Sequence, residues 1–461
     1  MKKTLYILRG LPGCLPGYTE VMTPDGWIRI DKYKAGTRIL QWSSKTGEAR
    51  FVVPNDYIVA DCPSMLHIVS GRVDMTLTHN HRVPLYNWAG KFVVKQAARV
   101  AAHPSKHIVP TTWVPASSGI DMTDDQLRLW VAIAADGSYP KAGHKCEIQV
   151  HKARKVERIT ALLNALNIPF KHSVNERPDR SATAHRFYFQ RPSHPKHFDW
   201  RLALCSQHQA RVITDELRYW DGDYAEGKGE SFSSSVRQDA DIAQYLFHAA
   251  GRVARLVEKT IPADKVGVWN TPWRVYPVQD GSAKGNVMIR CDDCHTDVVK
   301  PEDGKCYCFS VESTFFIVRQ NDNIFITGNC GKSTLAHTLA PLVVESDMFR
   351  YTADMEYVFD SDKNREVAEK ALALTRFAII GLGLPAVAVA NCNAKIDQMR
   401  PFIALGRALG YEVRVIEMYG FWGNPHNVPD EISRKMLHEW EKITPELEKE
   451  LGIAAVVQHK A

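Results

Sequence analysis

The feature that most constrains this chain is a phosphate-loop sequence broken into two pieces. Thr4-Leu5-Tyr6-Ile7-Leu8 is a short apolar strand-like run, and Arg9-Gly10-Leu11-Pro12-Gly13 follows it as a turn. A strand feeding a Gly-rich turn should open a loop whose backbone N–H groups cradle phosphate, and then a helix. Instead Cys14-Leu15-Pro16-Gly17 comes next, and Val21-Met22-Thr23-Pro24-Asp25-Gly26-Trp27 reads as the hairpins of an all-β domain. The missing half stands after 316 intervening residues (14–329): Cys330-Gly331-Lys332-Ser333-Thr334, ahead of a helical stretch from Leu335 to Leu342. Joining Gly13 to Cys330 satisfies every fixed position of Gly-x-x-x-x-Gly-Lys-Ser in its strand-to-helix context. A lone Gly-Lys-Ser-Thr is weak; two complementary halves, each with its proper flank, are not.

Composition bounds the rest. With 461 residues, 45% hydrophobic and 24% charged, the chain is globular, and disorder, collagen and a multi-span membrane protein are excluded. Ten cysteines are too few for a disulfide scaffold, so a reducing, cytoplasmic setting is expected. Met1-Lys2-Lys3 has the look of a signal n-region, but Thr4 to Leu8 is too short for its apolar core. The most apolar window, Ala371 to Ala390, carries Arg376 and Pro385 and makes a poor membrane span, so no membrane partner is expected.

An interruption inside a phosphate cradle must leave for the cradle to work, and its ends carry chemistry for leaving. The insert begins with Cys14, ends with Asn329 and is followed by Cys330. Thr78-His79-Asn80-His81 forms a Thr-x-x-His motif, and Cys308 to Val311 and Asn323 to Asn329 read as closing strands. On these residues 14–329 resemble an intein, a self-splicing element with an all-β Hint fold. The resemblance implies that the Cys14 thiol attacks the Gly13 carbonyl, with Thr78, Asn80 and His81 at that bond and His81 protonating the departing amine. Cys330 would take over the thioester, and Asn329 would cyclise to free the insert, all without a cofactor. The family usually has histidine before the terminal asparagine and another in the preceding strand motif; here Gly328 and Ser313-Thr314-Phe315-Phe316 stand there. Cys308 stands where many inteins have aspartate, which implies tuning of the thioester step or an auxiliary nucleophile; a packed strand cysteine is the plain alternative. Singly, Cys14 also reads as a buried thiol, His81 as a strand histidine and Asn329 as a turn residue. Cys291-x-x-Cys294-His295 with Cys306-x-Cys308 admits a zinc reading, weakened by the uneven spacing.

A splicing domain needs about half of the insert, so its middle should hold another domain. Leu127 to Ser138 is an apolar helix ending in Asp136-Gly137, and Ile213 to Gly222 is a poorer copy ending in Asp221-Gly222. These resemble the LAGLIDADG motifs of homing endonucleases, with Val156 to Leu166 and Ala240 to Val257 as following helices in two αββαββ halves. The resemblance implies an α+β fold, double-stranded DNA as partner and Mg²⁺ held by Asp136 and Asp221. Ordinary helix ends are the alternative, since Asp-Gly is a common stop. Lys141, Lys145, Lys152, Arg154, Lys155, Arg158, Lys171, Arg177, Arg180 and Arg186, mixed with Tyr188, Phe189 and Trp200, suit phosphate and groove contact.

The flanks, 1–13 and 330–461, add to 145 residues, one α/β domain. Strands at Leu342 to Arg350, at Ala386 to Ala390 and at Val413 to Met418, with helices at Arg365 to Ile380, Asp397 to Leu409 and Pro429 to Leu451, spell a doubly wound parallel sheet. The joined flanks resemble the polynucleotide-kinase-like P-loop family, including small AAA-type ATP-binding members. The resemblance implies ATP and Mg²⁺, Lys332 on the β/γ-phosphates, Ser333 on the metal, and Gly10, Gly13, Gly331 and Thr334 completing the cradle. It makes Asp347 the base for a phosphate acceptor of unknown identity and Arg350 a substrate-side arginine; Asp347 also reads as a helix N-cap. Asn391-Cys392-Asn393 lacks one expected acid, and Gly423-Asn424-Pro425-His426 lacks the expected lid arginine, which favours nucleotide binding over a defined phosphoryl transfer.

The expected domains are therefore 1–13, 14–118 (Hint), 119–259 (endonuclease-like), 260–329 (Hint) and 330–461. A P-loop NTPase with a β-rich, DNA-binding insertion that never leaves is the competing reading. Charge divides along the same lines: the flanks carry 18 basic and 18 acidic residues, so the chain's net +6 falls entirely on the insert.

Overall fold

The computed structural model describes residues 3–10, 14–79, 81–102, 107–140, 144–175, 183–220, 222–225, 228–261, 272–277, 286–289, 293–328, 332–350, 361–391, 393, 395–419 and 441–460. Strand Thr4–Arg9 lies at the centre of a five-stranded parallel sheet whose other strands all come from beyond the insert. The order is Leu342–Val344, Ala386–Ala390, Thr4–Arg9, Glu412–Tyr419, Ala455–Lys460. Leu5 stands opposite Val387 and Val413, and Ile7 opposite Val389 and Val415. All six are buried, as a strand covered on both faces requires. Helices Asn364–Ile380 and Ile396–Ala408 supply part of that cover.

Two expectations for the flanks are corrected. The helix after the phosphate loop, Lys332–Leu339, stops short because Leu342–Val344 is already a strand. Of the helix expected over 429–451, residues 429–440 lie outside the described residues and only Pro445–Leu451 is helical. Thr444 caps it by accepting from the Leu447 amide, and Pro445 is preorganised for a first turn. Ala455–Lys460 is an edge strand that the apolar pattern did not announce.

The β-rich part interleaves its two halves, so neither closes without the other. Strand Asp56–Asp61 pairs with Lys305–Ser310, and Met65–Ser70 with both Val73–Leu77 and His295–Val299. Strand Phe315–Gln320 pairs with Glu20–Thr23, Ile39–Trp42 and Asn323–Gly328. Its hairpin turns on Asn321 and Asp322, both at positive φ (46° and 61°), the two-residue geometry that matches strand twist.

Between those halves the chain runs twice through an αββαββ order. Asp124–Asp136, Gly137–Ser138, Lys145–Val150, Ala153–Ala165, Phe170–Asn175 and Ala184–Gln190 form the first run. Gln207–Leu217, Gly222–Ala225, Lys228–Ser234, Arg237–Ala249, Ala254–Glu258 and Trp273–Pro277 form the second. The last strand pairs with the two before it, so this sheet extends past residue 259. The helix expected over 240–257 ends at Ala249, because Ala254–Glu258 is itself a strand. Helices Asp124–Asp136 and Gln207–Leu217 pack together, each opened by a capping box, Thr123 with Gln126 and Ser206 with Gln209. One apolar cluster joins this part to Met22, Leu40, Trp42, Phe315, Ile317, Ile324 and Ile326 of the β-rich part.

Candidate functional site

The chain enters the β-rich part under tight control. Leu15 exchanges two backbone hydrogen bonds of 2.8 Å with Tyr307, which seats Cys14 beside strand Lys305–Ser310. The Cys14 amide donates to Thr78 Oγ1 at 2.8 Å, and the Thr78 amide donates to the Cys14 carbonyl at 3.0 Å. The His81 amide donates to the Thr78 carbonyl at 3.0 Å, and the Ala97 amide to the His81 carbonyl at 2.8 Å. The Thr-x-x-His loop is therefore fixed against the nitrogen on which a departing amine would form. Cys14 and His81 are fully buried and Thr78 nearly so. Asn80 lies outside the described residues.

Alternation on one strand puts Cys306 and Cys308 on the same face, toward Cys14. Hydrogen bonding with Cys306, then with Cys308, and burial hold the Cys14 thiol well above its ordinary range. Cys306 goes the other way: donation from Cys14 and from Cys62 draws it down to about 5. Both hydrogen bonds thus run toward the Cys306 sulfur, from Cys14 on one side and Cys62 on the other. The sequence offered only a Cys-x-Cys pair to find Cys306; its cross-strand neighbour Cys62 appears only in the fold. The zinc reading gains no support: Cys291 lies outside the described residues, and among those described no group of three His, Cys, Asp or Glu side chains could hold a metal ion.

At the exit, strand Asn323–Gly328 ends with Thr327 paired to Phe316 and Gly328 to Phe315. Thr327 Oγ1 hydrogen-bonds His81 Nε2, and both groups are buried. Asn329, Cys330, Gly13 and Gly331 lie outside the described residues.

In the αββαββ part, Asp136 closes its helix and forms an ion pair with Lys155. A Cβ on Gly137 would meet the Ile133 carbonyl at 2.5 Å, so close packing demands glycine there. Asp221 lies outside the described residues, just before strand Gly222–Ala225, where Asp136 lies just before Gly137–Ser138. The charges that spoiled the second copy have partners. Glu216 accepts from Arg158 Nε at 2.9 Å and Trp220 Nε1 at 2.9 Å, and Asp215 from Arg218 at 2.8 Å. Arg158 and Lys155 are therefore engaged in ion pairs within the fold rather than forming an open basic face. Lys145, Lys171, Arg186 and Tyr188 share one partly exposed sheet face, while Phe189 points into the core and Trp200 packs on Gly26. Lys152 and Arg154 are exposed where helix Ala153–Ala165 begins; Lys141, Arg177 and Arg180 lie outside the described residues. Arg128, Arg211 and Arg218 line a cleft beside Glu216, a basic feature the sequence reading omitted.

In the parallel sheet, Lys332 Nζ donates to the Gly10 carbonyl at 2.9 Å. Asn393, at φ 46°, donates to the Leu8 carbonyl at 3.1 Å, and the Ser346 amide donates to Asn391 Oδ1 at 2.8 Å. Arg350 donates to Asn364 at 2.5 Å. The side chains of Ser333, Thr334 and Asp347 lie outside the described residues, as do Cys392 and 423–426. No described helix is long and apolar enough to cross a membrane.

No family model matches the chain. It is 21% identical over 362 residues to the ribonucleoside-diphosphate reductase subunit beta of Aquifex aeolicus (strain VF5), covering 69% of this chain and 50% of that protein. The chain thus spans about half the length of the curated relative it matches. Solved structures similar to it include the AceL NrdHF class 3 split intein, in a GSH-linked, splice-inactive variant (10% identity, 68% of this chain and 97% of that one, TM-score 0.26). They also include the N-terminal LAGLIDADG domain of DUF199/WhiA (11%, 34% and 77%, TM-score 0.26) and the homing endonuclease I-DmoI with DNA and Mn (10%, 34% and 89%, TM-score 0.25).

Proposed function

We propose that residues 14–329 are an intein that excises itself and joins Gly13 to Cys330. One observation carries the reading. Strand Thr4–Arg9 is the central strand of a sheet otherwise built beyond residue 341, while Cys14, a few residues later, is buried with its amide on Thr78. In the first step the Cys14 sulfur bonds to the Gly13 carbonyl carbon, the amide C–N bond breaks, and the nitrogen leaves with a proton. The proton that the thiol gives up is the one the departing amine gains; Cys306, which accepts a hydrogen bond from Cys14, is suited to orient the thiol and His81 to deliver the proton to the amine. Cys330 then accepts the acyl group by thioester exchange, Asn329 cyclises with release of the insert, and an S-to-N shift restores the peptide bond. Cys308, beside Cys14, is available to the thioester step.

The αββαββ part fits a DNA-binding endonuclease with Asp136 as one oxygen donor for a divalent cation. That cation would activate water at a scissile phosphate; Lys145, Lys171 and Arg186 supply phosphate contacts. The joined flanks fit an ATP-binding, kinase-like protein, with Lys332 at the end of the central strand. Denaturing mass spectrometry of the expressed chain tests the reading: a 145-residue ligated product and a 316-residue excised chain are expected. Intact precursor alone, unchanged by Cys14→Ala, would favour an insertion that stays.

A further inference from the structure

The chain lacks the histidine that the splicing reading expects before Asn329, and the structure gives a physical reason. A Cβ at Gly328 would meet the Arg82 carbonyl at 2.9 Å and the Phe315 ring at 3.1 Å. A histidine cannot stand there without moving backbone. The same close approach brings the exit strand against the segment that carries His81. His81 Nε2 hydrogen-bonds Thr327 Oγ1, and that hydroxyl is two residues from Asn329.

A continuous polar path therefore runs from Cys14 to Thr327: Cys14 amide to Thr78 hydroxyl, Thr78 carbonyl from the His81 amide, His81 imidazole to Thr327 hydroxyl. A hydroxyl can donate or accept, so the bond at Nε2 holds the ring's orientation and keeps a proton-carrying partner at that nitrogen in either tautomer.

We propose that Thr327 is the positioning residue through which His81 serves asparagine cyclisation, in place of the histidine that Gly328 excludes. One histidine then acts at both junctions. The inference rests on the splicing reading. The step balances without any co-reactant. Asn329 Nδ2 bonds to the carbonyl carbon of Asn329, and the C–N bond to Cys330 breaks. Nδ2 loses one proton, and the Cys330 nitrogen leaves with the electron pair and gains one. An imidazole held by Thr327 takes the first proton and returns the second.

Two backgrounds separate the junctions. In Cys14→Ala only cyclisation proceeds, read as release of the C-terminal segment. In Asn329→Ala with Cys330→Ala only the first acyl shift proceeds, read as thiol-induced release of the N-terminal segment. Thr327→Val, equal in shape but lacking the hydroxyl, should slow cyclisation at least tenfold and slow the acyl shift as well, since His81 serves both; Thr327→Ser, which returns the hydroxyl, should restore both rates. Equal cyclisation with and without the hydroxyl overturns the proposal, as does a Thr327→Ser variant that stays as slow as Thr327→Val, which would mark Thr327 as packing. A parent chain yielding neither ligated product nor cyclised insert overturns the splicing reading itself, and this inference with it.

Discussion

Arg319 is the sharpest test of how the inserted parts depend on each other. Its side chain is 2% exposed and carries Glu20 on two contacts of 2.7 and 3.0 Å and Asp241 at 2.5 Å, with the guanidinium 4.7 Å from the Trp27 ring centre. Glu20 and Arg319 belong to the β-rich part, Asp241 to helix Arg237–Ala249 of the αββαββ part. Burial opposes the charge, and the two carboxylates hold the guanidinium above its ordinary range. Removing the arginine leaves Asp241, 13% exposed, with Arg237 at 2.9 Å, and leaves the half-buried Glu20 without its two-contact partner. Breaking one side of a buried pair costs about 3–5 kcal/mol, and the surviving Arg237 contact places Arg319→Met near about 3. Met keeps the stem's packing on Trp27, so the loss reports charge rather than a cavity. The measurement is urea unfolding followed by tryptophan fluorescence, in Cys14→Ala with Asn329→Ala so that one species is present. The midpoint should fall at constant slope. Adding Glu20→Gln and Asp241→Asn should recover most of the loss, because no uncompensated charge remains. A loss below about 1 kcal/mol, the scale of an exposed pair, would refute the claim that this network ties the two parts together.

Three further outcomes are expected. Cys306→Ala, which removes the hydrogen-bond acceptor that orients Cys14, should slow thiol-induced N-terminal release about tenfold while cyclisation in Cys14→Ala persists; an unchanged rate would remove Cys306 from the step. Burial pushes the thiols of Cys146 and Cys205 each up to about 12, against an ordinary value of 9.0. Their stabilisation is complete below pH 9 and is lost as pH rises from there toward 12, by on the order of 1.4 kcal/mol per unit for each thiol. Unfolding titrations between pH 8 and 11 should show that slope flattened in Cys146→Ala with Cys205→Ala. Asp136→Asn should abolish nicking of the uninterrupted coding junction and leave splicing intact; retained nicking would take Asp136 out of the metal site.

The sequence made different parts legible for different reasons. The strand Thr4–Arg9 and its parallel partners could be read because each is an apolar run buried on both faces. The first central helix could be read from its apolar run and its Asp136-Gly137 stop, although it starts at Asp124, three residues before Leu127, and Gly137–Ser138 is already a strand. The second copy read poorly because Asp215 and Glu216 look like charges in a packed helix, whereas Asp215 is exposed beside Arg218 and the buried Glu216 is met by Trp220 one turn on and by Arg158 of the neighbouring helix. Trp273–Pro277 was assigned to the wrong part because strand partnership across the intervening loop leaves no local mark. Cys14, Thr78 and His81 were legible as a motif at an edge. Cys306 and Thr327 were not, because their importance lies in cross-strand neighbours that periodicity cannot name.

The flanking sheet also bears on how the junctions meet. Gly10 and Lys332 are hydrogen-bonded at 2.9 Å although 322 positions separate them. Strand Thr4–Arg9 is hydrogen-bonded on both sides to strands from the far flank. The flanking domain is thus assembled around the insert, and it keeps the two segments to be joined at high effective concentration. Weakening the central strand should then separate ligation from cleavage. Ile7 is fully buried between Val389 and Val415, and Ile7→Ala should cost about 2–5 kcal/mol of that domain's stability. Near the temperature where this domain opens, ligated product should fall while thiol-induced N-terminal release and cyclisation in their isolating backgrounds continue, since Cys14, Thr78 and His81 sit in a different core. Ligation that survived the opening of this sheet would mean that the insert alone brings the junctions together.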